Sequence, residues 1–96
     1  MTMPQQNHPQ TVSLQDATVL DEVRAQTAKE LGINVAEISE TTVLKELPGA
    51  DSVRLLRVVA QIERVYDVEF EDEDIFAVRT PRELTDLVLA QVRTEA

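Results

Sequence analysis

The stretch from Ser52 to Asp67 constrains the fold more than any other part of the chain. On a helix, Val53, Leu55, Leu56, Val58, Val59, Ile62, Val65 and Tyr66 cover most of the circumference. Arg54, Arg57, Gln61 and Arg64, at spacings of three and four, leave only a narrow polar strip. A helix that is apolar over most of its girth needs neighbours on several sides, so it is expected at the centre of a helical bundle. Asp51 immediately before it is a good cap, its carboxylate accepting from the exposed amides of the first turn. At 96 residues the chain has room for one domain around that helix.

The rest of the chain supplies three partners. Leu20, Val23, Thr27 and Leu31 fall on one face of a helix predicted from about Leu14 to Leu31, with Lys29 in its last turn and Gly32 as the left-handed residue that ends it. Residues 33–51 show no sustained period. Their spread of Ile33, Val35, Ile38, Val43, Leu44 and Leu47 predicts a long connection pinned to a core, and Pro48-Gly49 breaks it before the next helix. Glu69, Glu71, Asp72, Glu73 and Asp74 precede a short third helix around 72–77, where acidic residues suit the amino terminus. The cluster reads as a solvated loop and helix start. Divalent-ion binding is the alternative, although the spacing lacks the central glycine of a helix-loop-helix calcium loop. Thr80-Pro81-Arg82-Glu83 opens the last helix, with Thr80 as cap and Glu83 expected to bond back to the Thr80 amide, and Leu84, Leu87, Val88 and Val92 form its buried stripe. Val68-Glu69-Phe70 alternates like a strand but has nothing to pair with. The fold class is therefore all-α: a four-helix bundle with a long loop between helices one and two and a short third helix. Residues 1–11, with two of the chain's four prolines and no periodicity, are expected to form a flexible tail ahead of a domain spanning residues 12–96.

Composition removes most functions. Eighteen acidic against nine basic residues give a net charge of −9, which repels phosphate backbones and anionic lipid, so neither nucleic acid nor a membrane surface is an expected partner. The longest unbroken apolar runs are Ile75 to Val78 and Leu87 to Ala90, far short of the ~20 residues of a spanning helix. The amino terminus lacks the apolar block of a signal peptide, so a cytoplasmic protein is expected. There is no cysteine and one histidine, His8, which lies in the tail and is read as inert. Disulfides, thiolate metal sites, protein thiol nucleophiles and histidine triads are excluded together, and no metal site is expected.

One place remains informative. At Gly49-Ala50-Asp51-Ser52-Val53 the long loop meets the amino terminus of the apolar helix. Amides of that first turn lack partners and the helix dipole adds partial positive charge, so a phosphate ester on Ser52 is stabilised there. No base neighbours the serine, which argues against a hydrolase nucleophile and for an acceptor modified by another enzyme. Taken alone, the pentad is explained by capping, since Asp and Ser both cap well.

The surrounding residues add a family. Leu31-Gly32-Ile33, the pentad itself, and Ile62-Glu63-Arg64-Val65-Tyr66-Asp67-Val68-Glu69-Phe70, followed by Asp72-Glu73 and the segment from Thr80 to Val88, resemble the acyl and peptidyl carrier proteins of fatty-acid, polyketide and nonribosomal-peptide synthesis. The likeness covers about 70 of the 96 residues. The resemblance implies 4′-phosphopantetheine on Ser52, transferred from coenzyme A by a separate phosphopantetheinyl transferase with magnesium, and Asp51 helping to present that serine or contacting that machinery. It implies no catalysis by the domain itself. The thiol of the cofactor would hold acyl or aminoacyl cargo as a thioester for ligases, synthases or transferases. Val53, Leu56, Val59, Ile62 and Phe76 read first as ordinary core, and as cargo-lining residues if the bundle encloses a chain.

Two departures stand out. Leucine usually precedes the glycine of this motif, whereas Pro48 intervenes here after Leu47. The second helix, often acidic in fatty-acid carriers, carries Arg54, Arg57 and Arg64, which form either a solvated face or a docking strip for partner enzymes. As a docking strip it implies poor use by primary fatty-acid enzymes and service in a dedicated pathway. The leading expectation is a discrete, monomeric acyl carrier of polyketide or other natural-product biosynthesis. A peptidyl carrier is the nearer alternative, and an unmodified helical adaptor binding an acidic partner the more distant one.

Overall fold

The computed structural model describes the backbone from Asn7 to Glu95 and the side chains of residues 15–92. Four α-helices follow one another: α1 (Asn7–Leu31), α2 (Ser52–Tyr66), α3 (Asp72–Ala77) and α4 (Pro81–Glu95). Single 3-10 turns at Val35–Glu37 and Leu44–Glu46 punctuate the connection between α1 and α2. Among the described residues there is no strand. The all-α bundle expected from the sequence is the fold observed.

α1 starts seven residues earlier than its periodicity indicates, so Asn7 to Thr11 of the expected tail belong to a helix. Pro9 does not prevent this, because in the first turn its missing N–H has no intrahelical acceptor to lose. Residues 1–6 lie outside the described part of the chain, as does the side chain of His8. The helix ends as its sequence dictates. Gly32 sits at φ 70°, and its N–H and that of Ile33 both donate to the Ala28 carbonyl. α2 closes with the same geometry on a non-glycine residue: Asp67 adopts φ 55°, and the Asp67 and Val68 amides return to the Glu63 carbonyl. Aspartate is one of the few side chains that tolerate this conformation.

The position of α2 corrects one expectation. α1 lies along both α2 and α4, while α2 and α4 meet over a shorter length, so α1 is the central helix. Of α2 only Val58, Val59 and Ile62 are buried, and Val53, Leu56 and Val65 are 60%, 44% and 48% exposed. The six-residue α3 is too short to cover the remaining apolar surface of its neighbour. The stripe of α1 is likewise shifted by one position, with Val19 rather than Leu20 buried beside Val23, Thr27 and Leu31.

Two apolar clusters form the interior. The larger joins Val19 and Val23 of α1 to Val58, Val59 and Ile62 of α2 and to Leu84, Val88 and Leu89 of α4, with Val68 and Phe70 closing one end. The strand-like alternation of Val68-Glu69-Phe70 is thus used by an extended connection with both apolar residues inward, and the Phe70 amide donates to Glu63 Oε2 at 2.9 Å. At that end of α2, burial first and the charge of Glu22 second push the Tyr66 phenol above its ordinary value. The smaller cluster, built of Ala28, Leu31, Ile38, Leu44 and Leu47, pins the long connection. Arg24 donates to the carbonyls of Ile38 (2.6 Å) and Val35 (3.1 Å).

Arg82 fastens the same connection from α4. Its guanidinium reaches Asp16 of α1 at 2.8 Å, Glu40 of the connection at 3.0 Å and Asp86 at 3.1 Å, and its own amide donates to the Glu40 carbonyl. These carboxylates raise the already high pKa of the guanidinium further. The start of α4 differs from the reciprocal capping box expected: Thr80 Oγ1 accepts from the Glu83 amide, but Glu83 Oε1 takes the amide of Arg79 instead of Thr80.

Among the described residues two threonines are wholly buried. Thr27 Oγ1 donates to the Val23 carbonyl at 2.7 Å, whereas Thr85 Oγ1 has no partner among the described residues. An unsatisfied buried hydroxyl costs about 1–3 kcal/mol, so its isosteric removal is favourable. Thr85→Val is expected to raise the unfolding free energy by about 1 kcal/mol, read by urea denaturation, with Thr27→Val as the destabilised comparison.

Candidate functional site

The junction at residues 49–52 is set by its backbone. Gly49 adopts φ 80°, and a side chain there would meet an Arg54 guanidinium nitrogen at 3.4 Å and the Leu31 carbonyl at 3.8 Å. The Ala50 amide donates to the Leu47 carbonyl, completing a tight turn that absorbs the unusual Pro48. Asp51 then takes an extended conformation (φ −150°, ψ 174°), and its Oδ1 accepts the Arg54 amide at 2.8 Å. The expected cap is present, and α2 begins at Ser52.

Ser52 is exposed, and its hydroxyl makes no hydrogen bond among the described residues. The amides of Ser52 and Val53 also have no acceptor there, because Asp51 satisfies Arg54 and the helix ladder begins with Leu55 bonding to the Asp51 carbonyl. An outward nucleophilic oxygen thus lies beside free N–H groups at the positive end of a fifteen-residue helix. Among the described residues no carboxylate or other base is hydrogen-bonded to it. Among the described residues, no group of three carboxylates or histidines is arranged to hold a metal ion, the acidic segment from Glu69 to Asp74 included.

From Ser52 a groove of about 320 Å³ runs between α2 and α3. Leu55, Leu56, Val58 and Val59 form one wall, Ile75, Phe76 and Val78 the other, with Leu84 beneath and Leu44 and Lys45 at the mouth. Three of the five suspected lining residues, Leu56, Val59 and Phe76, do line it. The other two do not: Val53 faces away into solvent, and Ile62 is sealed in the main core at 0% exposure. Leu55 and Val58 of α2 line it in their place. Phe76, a large apolar residue, is 76% exposed at the rim.

Arg54, Arg57 and Arg64 are all exposed on α2. Arg57 makes a 3.4 Å pair with Glu30 of α1, whereas Arg64 has no ion-pair partner among the described residues.

Residues 21–88 match the family model described as the phosphopantetheine attachment site. The chain is similar to three proteins named acyl carrier protein. The one from an Exiguobacterium species is 36% identical over 56 residues, covering 58% of this chain and 71% of the relative. That from Syntrophobacter fumaroxidans is 37% identical over 60 residues, covering 62% and 73%. That from Rubrobacter xylanophilus is 27% identical over 71 residues, covering 74% and 88%. This helical bundle, with its exposed hydroxyl at the mouth of α2, belongs to the phosphopantetheine-binding carrier family. The prosthetic group of that family is a covalently attached phosphopantetheine, and the site fits it: an unengaged hydroxyl can form the ester, and free amides face where the phosphate would lie. No helix among the described residues is long and apolar enough to cross a membrane.

The cap is the site's most exposed energetic dependence. Asp51→Ala is expected to lower the unfolding free energy by about 1 kcal/mol, and Asp51→Asn, which keeps an accepting oxygen, by less, as measured by urea titration.

Proposed function

We propose that Ser52 is the attachment residue and that the protein is an acyl carrier, holding acyl intermediates on a 4′-phosphopantetheine arm and presenting them to separate enzymes. The observation that carries this reading is the Ser52 hydroxyl: exposed, unbonded, at the first position of α2, beside amides without acceptors. When bound, the group supplies a terminal thiol on which cargo is carried as a thioester, chemistry that a cysteine-free chain lacks.

The chain's own residues do the rest. Ser52 anchors the phosphodiester, and the amides of Ser52 and Val53 with the dipole of α2 stabilise its negative charge. Asp51 holds the first turn in place through the Arg54 amide, so that the hydroxyl is presented outward to a phosphopantetheinyl transferase. No residue moves a proton or forms a bond in the cargo chemistry, which belongs to partner ligases, synthases or transferases. The groove leading from Ser52 gives an aliphatic cargo apolar walls.

We assign the service of this carrier to a dedicated pathway, of polyketide or other natural-product type, on the strength of Arg54, Arg57 and Arg64. Their charge opposes that expected of a carrier docking on basic enzyme patches. The protein is taken to act as a cytoplasmic monomer. A peptidyl carrier uses the same arm, and the basic α2 is the feature that favours it.

Incubation with coenzyme A, magnesium and a broad-specificity phosphopantetheinyl transferase is expected to add one phosphopantetheine to the intact mass, and none to Ser52→Ala. A wild-type chain that gains no mass leaves the unmodified adaptor as the better reading. With the loaded protein and a fatty-acid enzyme whose docking patch is basic, transfer is expected to be slow, and Arg54→Glu/Arg57→Glu to speed it on the order of tenfold. Efficient transfer indifferent to that change contradicts the assignment.

A further inference from the structure

Another groove lies on the other side of α2. It measures about 350 Å³ and runs between the last turns of α1 and the middle of α2. Lys29, Arg57 and Arg64 line it together with Gln26, Gln61, Ala60 and the edge of the buried Val58. On a helix of 3.6 residues per turn, Arg57, Gln61 and Arg64 project roughly half a turn from Ser52, Leu55 and Val59, so this groove and the one leading from Ser52 face apart.

Its charge runs against that of the chain. In a molecule with twice as many acidic as basic residues, three cations converge here on a single lining carboxylate, Glu30. Glu30 is engaged by Arg57 at 3.4 Å, and at 65% exposure of the arginine side chain that pair is weak. Lys29 and Arg64 have no ion-pair partner among the described residues, and the Gln61 amide has no hydrogen-bond partner there either. Glu22, the other nearby carboxylate of α1, is held by Gln26 Nε2 at 2.6 Å. Lys29 and Arg64 are therefore held in no ion pair, and on its outer side Arg64 also borders a depression lined by Glu63, Asp67, Glu69 and Glu71. Ordinary solvated faces of a chain this acidic carry interspersed carboxylates, as α4 does where Arg82 is surrounded by three.

We propose that this α1–α2 groove is a docking site for an acidic helical segment of a partner protein. The proposal rests on the carrier reading and deepens it: Lys29 of α1 joins Arg57 and Arg64 of the α2 strip in the groove, while Arg54, which lies at the Gly49 turn, does not line it. Arg57 and Arg64 are two turns apart, about 10 Å along the axis, which matches carboxylates at i and i+7 of a partner helix. Because the groove faces away from Ser52, a partner seated there leaves the attachment serine and its groove open to a second enzyme. The negative field of the whole chain opposes a distant acidic partner, so attraction is short-ranged, acting within the ~10 Å screening length at 0.1 M salt.

The test is a nitrogen-15 NMR titration of the full chain with an alanine-rich helical peptide bearing glutamates at i and i+7. Amide shifts are expected at residues 26–30 and 57–64, with affinity falling steeply as salt is raised. Lys29→Glu/Arg64→Glu should weaken binding on the order of tenfold or more, and the milder Lys29→Ala/Arg64→Ala by less, each with helix content checked by circular dichroism. The glutamine version of the peptide should not bind. Shifts confined to the Ser52 groove or to α3, equal binding of the glutamine peptide, equal binding by the charge-reversed variants, or no binding overturns the proposal. Intact mass after the transferase reaction is read on the same variants. A groove that fails while phosphopantetheine is still added sinks the docking proposal alone, whereas a wild-type chain that gains no mass sinks the carrier reading.

Discussion

The connection between α1 and α2 has to be held almost without regular backbone hydrogen bonding, and the geometry around Ser52 depends on how this is done. Side chains supply the hold. Ile38, Leu44 and Leu47 are buried against Ala28 and Leu31, so the connection carries its own apolar cluster instead of borrowing the main core. A few directed bonds fix its orientation: Arg24 to the carbonyls of Val35 and Ile38, the Leu44 amide to the Arg79 carbonyl, and the Arg82 amide and guanidinium to Glu40. With Leu47 anchored, the turn at Pro48-Gly49-Ala50 delivers Asp51 in an extended conformation, and the cap it makes on Arg54 settles where α2 begins. Exposure of Ser52 follows from those contacts, none of which involves the serine itself.

A short third helix then determines what lies next to that serine. Six residues cannot cover a fifteen-residue neighbour, so part of the apolar circumference of α2 is left without a lid. The outcome is a groove with aliphatic walls that starts at the hydroxyl, and an exposed Phe76 at its edge. In an ordinary bundle such exposure is a liability, since it costs buried area and invites association. The same helix presents cations on its other side, so α2 separates an apolar surface from a basic one.

Much of this was legible in local sequence. Asp51, Gly32, Thr80-Pro81 and the acidic run before Ile75 each specify a helix end through chemistry confined to a few residues, and the helices begin or end there. The pinned connection was legible from its scattered aliphatic residues. What depends on partners distant in the chain was not. Periodicity alone made α2 look central, but whether an apolar face is covered depends on the length of α3 and the path of α1. Val53 and Ile62 share a helix and an aliphatic character, yet one is in solvent and the other sealed. Arg82 reaches Glu40 and, 66 residues away in the chain, Asp16, and no local pattern marks either contact. Lys29 reads locally as a helix-end cation, and only the packing of α1 on α2 brings it beside Arg57 and Arg64.

The claim on which the functional account turns is chemical and residue-specific. Proteolytic digestion of the transferase-treated chain, followed by tandem mass spectrometry, tests it most directly, because the fragment ions assign the added group to one side chain. The account predicts phosphopantetheine on the oxygen of Ser52 and nowhere else. Assignment of the group to another hydroxyl, such as Ser39 or Thr42 of the connection, would contradict it.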